Sequence, residues 1–425
     1  MKVSDNLIKL AEEFKKENAT LYIVGGFVRD SLLKYKSKDI DLSSNLAYEK
    51  VSEICKHLKF KCEPINQTLG TILISTKNEH FEYTRFRVES YNNDGKHQPT
   101  STQFVDDIKL DVKRRDLTIN ALYYDIVANK IIDMVDGLKD LDNHIIRTVN
   151  DPYVTLKDDG LRILRCIRFS CALDFDIEPN TFDALQLYSC NIANVSKPRV
   201  LEELKKIVVA DEGYRRFNLR LFDLLCNFDI PKYLFHDPIL RLQDITEIAA
   251  SKFYLIDEDY RIYLFYMYMY KYYCNRYLNP TEQEKLIEQT IGQEGLQESK
   301  ETIKLVKNLL DIYLGIQYKQ NPMVATAKYL SLEHNLKPVV KLSLTEKASL
   351  TLLCCEVEFR RNHLPLTKEG LKINARTLIL RRYDKKYISE ILDSLFIHVL
   401  QGAITNTRKE LLFHAKKIYK CMLIS

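Results

Sequence analysis

Asp39 and Asp41 flank Ile40 in the run KDIDLSS. In a strand, residues two apart project from one face while the residue between them turns away, so the two carboxylates converge on one point. Such convergence suits Mg²⁺, which takes hard oxygen ligands and fills its shell with one or two protein carboxylates, water and substrate phosphates. Without a cation the pair is costly, because like charges a few Å apart repel. A DxD alone is more often a solvated strand end, and the residues before it change the reading. The run LYIVGGFVRD is an apolar strand ending on Gly25 and Gly26. Their missing side chains let backbone N–H groups approach an anion and let a helix begin with its positive end toward it. Arg29 falls one turn into that helix, where its fork can take a phosphate bidentately. The GxGxxG spacing of dinucleotide sites is absent. A phosphate cradle facing a carboxylate pair describes a nucleoside triphosphate carried on Mg²⁺.

Three later motifs add to this chemistry. Glu82, in HFEYTRFRVES, sits on an amphipathic strand. RRDLTIN sets Arg114, Arg115 and Asp116 in a row ahead of Asn120. In DDGLRILRCIRF, Asp159, Arg162, Arg165 and Arg168 recur every three residues along one helix face, beside an apolar stripe of Leu161, Leu164 and Ile167. Cytosine and adenine both present an amino donor next to a ring-nitrogen acceptor on the pairing edge; uracil and guanine present the reverse. A carboxylate and a guanidinium fixed side by side match the first two bases and repel the others. Arg199 and Glu203, in VSKPRVLEEL, fall at i and i+4, the spacing of a helix-bracing pair.

The elements that must position these residues change character along the chain. Up to residue 146, short β-rich runs alternate with helical ones, whereas from Asp151 onward helical periodicity takes over. This predicts an α+β chain: a small head of mixed sheet with helices over 1–146, a helical neck over 147–210, and a helical body and tail over 211–425. The polar stretch 89–103 is expected to be the mobile loop of the head. The 425 residues exceed one ordinary core, which agrees with several domains. Net charge is +5, with 63 basic against 58 acidic residues, which permits a nucleic-acid partner without demanding one. The ten cysteines contain no CxxC pair and no zinc spacing, so they read as reduced thiols of a cytoplasmic protein, with Cys354 and Cys355 in a helix core. The tyrosine-rich run YRIYLFYMYMYKYYCNRYL is broken by Arg261, Lys271 and Arg276 and does not read as a membrane span. No membrane association and no obligatory protein partner are expected.

The spacing GG-x-VRD-x-L followed by DxD resembles the signature of the class II nucleotidyltransferases, which comprise the CCA-adding tRNA nucleotidyltransferases and the bacterial poly(A) polymerases. The later motifs, together with DGLKDL, follow in that family's order over roughly the first half of the chain, and the helical remainder matches none. The resemblance implies a polymerase β-like head with Asp39, Asp41 and Glu82 catalytic and Mg²⁺ held by Asp39 and Asp41. It implies nucleotide contacts from Gly25, Gly26, Arg29 and Arg115, with Asp116 and Asn120 as weaker ones. It further implies base reading by Asp159 and Arg162, with Arg165 and Arg168 near the triphosphate. DDG stands where the family usually has Glu-Asp-Pro, so Gly160 departs from the pattern. The activity implied is template-independent addition of CMP and AMP from CTP and ATP to the tRNA 3′ end. CC-only or A-only addition, polyadenylation and non-catalytic RNA binding are the rivals. LGTILIST, where poly(A) polymerases resemble one another by a basic run, speaks against polyadenylation. Basic clusters at 213–220, 378–387 and 406–417 are the expected grips on an RNA backbone.

Overall fold

The computed structural model describes residues 1–210, 224–234, 256–274 and 280–423, apart from Lys2, Lys38, Asn93, Cys226 and Gln320. The chain divides into two compact units, Met1–Ile239 and Leu240–Ser425.

The first unit begins with α1 (Asp5–Lys16), capped by Ser4 and buried along Leu7, Leu10, Ala11 and Phe14. Then follow β1 (Tyr22–Val24), α2 (Gly26–Leu32), β2 (Ile40–Ser44), α3 (Tyr48–Leu58), β3 (Lys61–Asn66), β4 (Thr71–Ser75), β5 (His80–Arg85), β6 (Arg87–Ser90) and β7 (Ser101–Phe104). After a short helix α4 (Ile108–Asp111) come β8 (Tyr123–Asp125), β9 (Lys130–Ile132) and α5 (Gly137–Asp142). Seven strands form one sheet in the order β3-β4-β5-β2-β1-β8-β9, in which only β2 and β5 run parallel. One face carries the main core, where α1 and α3 meet Ile23, Leu42, Ile74, Phe81 and Tyr83. On β5, Phe81 and Tyr83 are buried while His80 and Glu82 are exposed, the period-2 alternation that turns Glu82 away from this core.

The stretch 89–103 is more ordered than its composition suggests. Its flanks are β6 and β7, paired antiparallel with Glu89 opposite Thr102 and Ser90 opposite Ser101. The backbone ladder ties the two ends of the expected mobile loop, and residues between Ser90 and Ser101 lie outside the strands.

Helices follow: α6 (Pro152–Asp158), α7 (Leu161–Leu173), α8 (Pro179–Tyr188) and α9 (Lys197–Val208). α7 is buried nearly all round, with Ile163, Leu164, Cys166 and Ile167 at 0% exposure, so it is the central post of this region. α9 packs against it. Glu203, buried, takes Arg168 of α7 at 2.5 Å, while Arg199 pairs with Glu202 at 3.7 Å. The i, i+4 pairing of Arg199 with Glu203 is therefore replaced by a tie between helices.

In the second unit the described elements are helices, the longest being Lys300–Gln317, Glu346–Asn362 and Glu258–Cys274. Tyr266, Tyr268 and Tyr270 of the tyrosine-rich helix are buried. Among the described residues no helix is long and apolar enough to cross a membrane. Cys355 is buried but Cys354 is exposed, which corrects the reading of both as core; adjacent helical positions point about 100° apart.

Candidate active site

β1 ends at Gly25, whose φ of +77° belongs to a region that side-chain-bearing residues avoid. A Cβ there would lie 3.7 Å from Asp41 Oδ2, so the glycine turn and the acid strand meet. The sheet register sets Asp41 of β2 directly opposite Glu82 of the parallel neighbour β5, and Val24 and Tyr123 continue the same row across β1 and β8. Asp39 lies just ahead of β2, two residues from Asp41. Its expected position within the strand is shifted to the strand's entrance. The Asp41 carboxyl is pushed up to about 6, by the protein crowded round it first and then by Glu82 and Asp39, with Arg115 and Arg165 pulling the other way. The Asp41 side chain is nevertheless exposed to solvent. A carboxyl whose ionisation neighbouring acids oppose is a donor that a hard cation relieves. Among the described residues no group of three or more His, Cys, Asp or Glu side chains is gathered to hold an ion. What the strand offers is a carboxylate pair, the number Mg²⁺ takes when phosphates and water complete its shell.

Arg29 has protein partners that its helix position did not reveal. It is buried, with Nε and Nη2 on Asp30 Oδ1 at 2.8 and 2.7 Å and Nη1 on Asn120 Oδ1 at 2.5 Å. Each of its three nitrogens thus has a partner within the protein. Asn120 Nδ2 is buried and has no hydrogen-bond partner. Phe169 gathers three guanidiniums on its ring, Arg168 at 4.2 Å, Arg29 at 4.8 Å and Arg165 at 5.4 Å from the centroid. Arg168, tied to Glu203, is thus also a joint between helices.

The second cluster surrounds a cavity of about 680 Å³ lined by Tyr91, His97, Arg115, Asp159, Arg162 and Arg165 among others. Asp159 is the extended residue that closes α6, not a residue of α7, yet its Oδ1 accepts from Leu161 N at 2.9 Å and so opens α7. Its Oδ2 lies 3.4 Å from Arg162 Nε. Arg162 Nη2 donates to Arg114 O at 2.9 Å, and Tyr91 lies under the guanidinium at 5.6 Å. Arg165 Nε holds Asp116 at 2.6 Å. Burial would raise the Asp116 carboxyl, but Arg165 outweighs it and brings it to about 2.

Asp111, not singled out from sequence, is the hub that orients these cations. It is fully buried; Oδ1 accepts from Arg87 N and Arg114 Nε, and Oδ2 from Arg115 Nη2 and the Tyr123 hydroxyl. Burial works against its charge, yet Arg115 and Arg114 bring the carboxyl down to about 2. Tyr123 also accepts from Arg115 Nε at 2.7 Å. Arg115 in turn keeps its proton above the ordinary range despite burial, through Tyr123 and Asp111. The i+3 and i+4 spacing of Asp111 to Arg114 and Arg115 was the signal available in sequence. His97 had none, since it lies in a polar loop tip.

A glycine turn against a strand-borne acid pair, with fixed arginines and a cavity of nucleotide size, is the arrangement of a nucleotidyltransferase. Residues 21–147 match the family model described as "Poly A polymerase head domain", and residues 174–241 that of "Probable RNA and SrmB- binding site of polymerase A". The chain is thus similar to the poly(A) polymerase family over its head and to CCA-adding enzymes along its length. It is 28% identical to the CCA-adding enzyme of Ligilactobacillus salivarius (strain UCC118) over 97% of this chain and 96% of that one. It is 33% identical to the CCA-adding enzyme of Staphylococcus aureus (strain MRSA252) over 52% of this chain and 54% of that one. The fold is similar to that of the Bacillus stearothermophilus CCA-adding enzyme in complex with CTP (TM-score 0.68, 20% identity, 100% of both chains). It is also similar to that of the Thermotoga maritima CCA-adding enzyme complexed with tRNA (TM-score 0.65, 20% identity, 98% and 96% of the chains).

Proposed function

We propose that the protein adds CMP and AMP from CTP and ATP to the 3′ end of tRNA without a nucleic-acid template, building or repairing the CCA terminus with release of pyrophosphate. The observation that carries this reading is the buried pair of Asp159 and Arg162, 3.4 Å apart in a cavity of nucleotide size. Its acceptor and donor side by side complement cytosine and adenine and oppose uracil and guanine. The names of the relatives point the same way.

Asp39 and Asp41, with Glu82 beside them, would hold Mg²⁺, which when bound lowers the pKa of the attacking 3′-hydroxyl and screens the triphosphate. The N–H of Gly26, at the start of α2, would face the anion, while that of Gly25 donates to Leu122 O at 3.4 Å and supports the turn. Arg115 and Arg165 put positive charge next to Asp41. Asp111, Tyr123 and Asp116 hold those two cations in place before substrate arrives, so little ordering is left to the reaction itself. In this account residues 1–146 do the chemistry and 147–210 select the base. Residues 211–425 grip the RNA backbone through exposed cations such as Arg381, Arg382, Lys385 and Lys386 in 378–387 and Arg408, Lys409, Lys416 and Lys417 in 406–417. The third cluster, 213–220, lies outside the described residues. The setting is cytoplasmic, in keeping with free thiols.

The test is incorporation on a tRNA transcript lacking CCA, with Mg²⁺, CTP and ATP, resolved at single-nucleotide length. Two C followed by one A is the expected product. A product stopping at CC, or a long A tail, would move the protein to another branch of its family.

A further inference from the structure

His97, in the loop joining β6 to β7, places Nδ1 2.8 Å from Asp159 Oδ2. An ionised carboxylate only accepts, so the imidazole there carries its proton on Nδ1 and donates. Asp159 Oδ1 is meanwhile taken by Leu161 N at 2.9 Å. Both oxygens of the base-reading carboxylate are therefore occupied by the protein's own donors. Two bonds independent of the imidazole hold the loop tip in this position. Gly160 N donates to Gly95 O at 2.8 Å, and Asn194 Nδ2 to Asp94 O at 2.9 Å. The first of these depends on the residue at 160. Proline has no N–H to give, and a Cβ there would stand 2.4 Å from Asn191 O and 3.1 Å from Gly95 O. Gly160, which departs from the Glu-Asp-Pro pattern, is thus the residue that lets the loop dock on the base-reading pair.

We propose that His97 is a built-in competitor of the incoming base: it occupies Asp159 Oδ2 as a stand-in for the amino group of cytosine or adenine and yields only to a nucleotide that supplies that donor. This rests on the assignment of Asp159 as base reader. Uracil and guanine offer Asp159 an acceptor and have nothing with which to replace the imidazole. The contact therefore taxes binding of the correct nucleotides alone, as any equilibrium with a binding-incompetent state does.

The experiment is equilibrium binding of CTP, ATP and UTP, with Mg²⁺, to the full chain and to His97→Ala, His97→Gln and Asn194→Ala, followed by steady-state kinetics with CTP. For His97→Ala, CTP and ATP affinity should rise about fivefold, with KM falling by the same factor, kcat unchanged and UTP affinity unmoved. His97→Gln, which keeps a donor, should return affinity toward wild type. Asn194→Ala, which frees the tip without touching the cavity, should raise CTP affinity about twofold. CTP affinity that stays the same or falls in His97→Ala would overturn the proposal, as would UTP affinity rising in step with CTP. A wild-type protein that binds UTP as well as CTP would instead remove the base-reading assignment, and the competitor with it.

Discussion

Asp41 is crowded by acids on two sides, so neutralising it has two separable effects. Asp41→Asn should reduce incorporation at least about a thousandfold while leaving tRNA affinity unchanged, measured by gel-resolved extension and filter binding. It should also raise the thermal midpoint of the metal-free protein at pH 7. The sign follows from the raised carboxyl: with a pKa near 6 in the folded protein against 3.8 unfolded, its ionisation opposes folding above about pH 6, and the opposition fades as pH falls toward 4. The gain from the substitution should shrink over that window. At this scale sequence reading found the acids, because the i, i+2 rule is local. It did not find that Asp41 faces Glu82, since a register between strands forty residues apart is written in no short run. Nor did it find that Arg29 pairs with Asp30 and Asn120. Helix position says where a guanidinium starts and not which neighbour reaches it first.

Two helices share the work of holding Arg162, the proposed partner of Asp159 in base reading. α7 supplies Arg162, Arg165 and Arg168, and α9 is locked to it through Glu203, a buried carboxylate whose partner is Arg168. Glu203→Gln should cost about 2–4 kcal/mol of stability, read by denaturant unfolding, because it leaves Arg168 half-buried with its charge uncompensated. Phe169→Leu keeps the apolar volume but removes the ring that three guanidiniums share. It should weaken nucleotide binding about three- to tenfold with a smaller effect on stability, measured by triphosphate titration and thermal melts. Among elements, the helices and the strands that alternate clearly were legible. β3 was missed: KCEPIN is exposed at five of six positions and contains a proline, as suits an edge strand and as hides it from any hydrophobic pattern. β7 was missed because STQF lies in a polar run and is a strand only through its pairing with β6.

For the molecule as a whole, the buried acid–arginine network sets the response to acid. Asp111 and Asp116 are held near 2 against 3.8 when unfolded, so each contributes stability in full above about pH 4 that is lost as pH falls toward 2. The first unit should therefore keep its fold at pH 4 and lose on the order of 2 kcal/mol per carboxylate below it. Asp111→Asn should flatten that acid limb in a pH series of denaturant melts; an unchanged slope would count against the network. The division between sheet-bearing head and helical remainder was legible from the change of period alone. The packing of the second unit was not, because amphipathic helices of similar length carry no record of which neighbour each one meets.

The central claim is that Asp159 and Arg162 choose the base. It is tested most directly by single-turnover incorporation of each of the four triphosphates into tRNA lacking CCA, comparing wild type with Asp159→Ala. The wild type should favour C and A over U and G by at least about a hundredfold. The variant, still binding tRNA, should bring U and G within about tenfold of C. A folded Asp159→Ala protein that kept the wild-type preference would contradict the account.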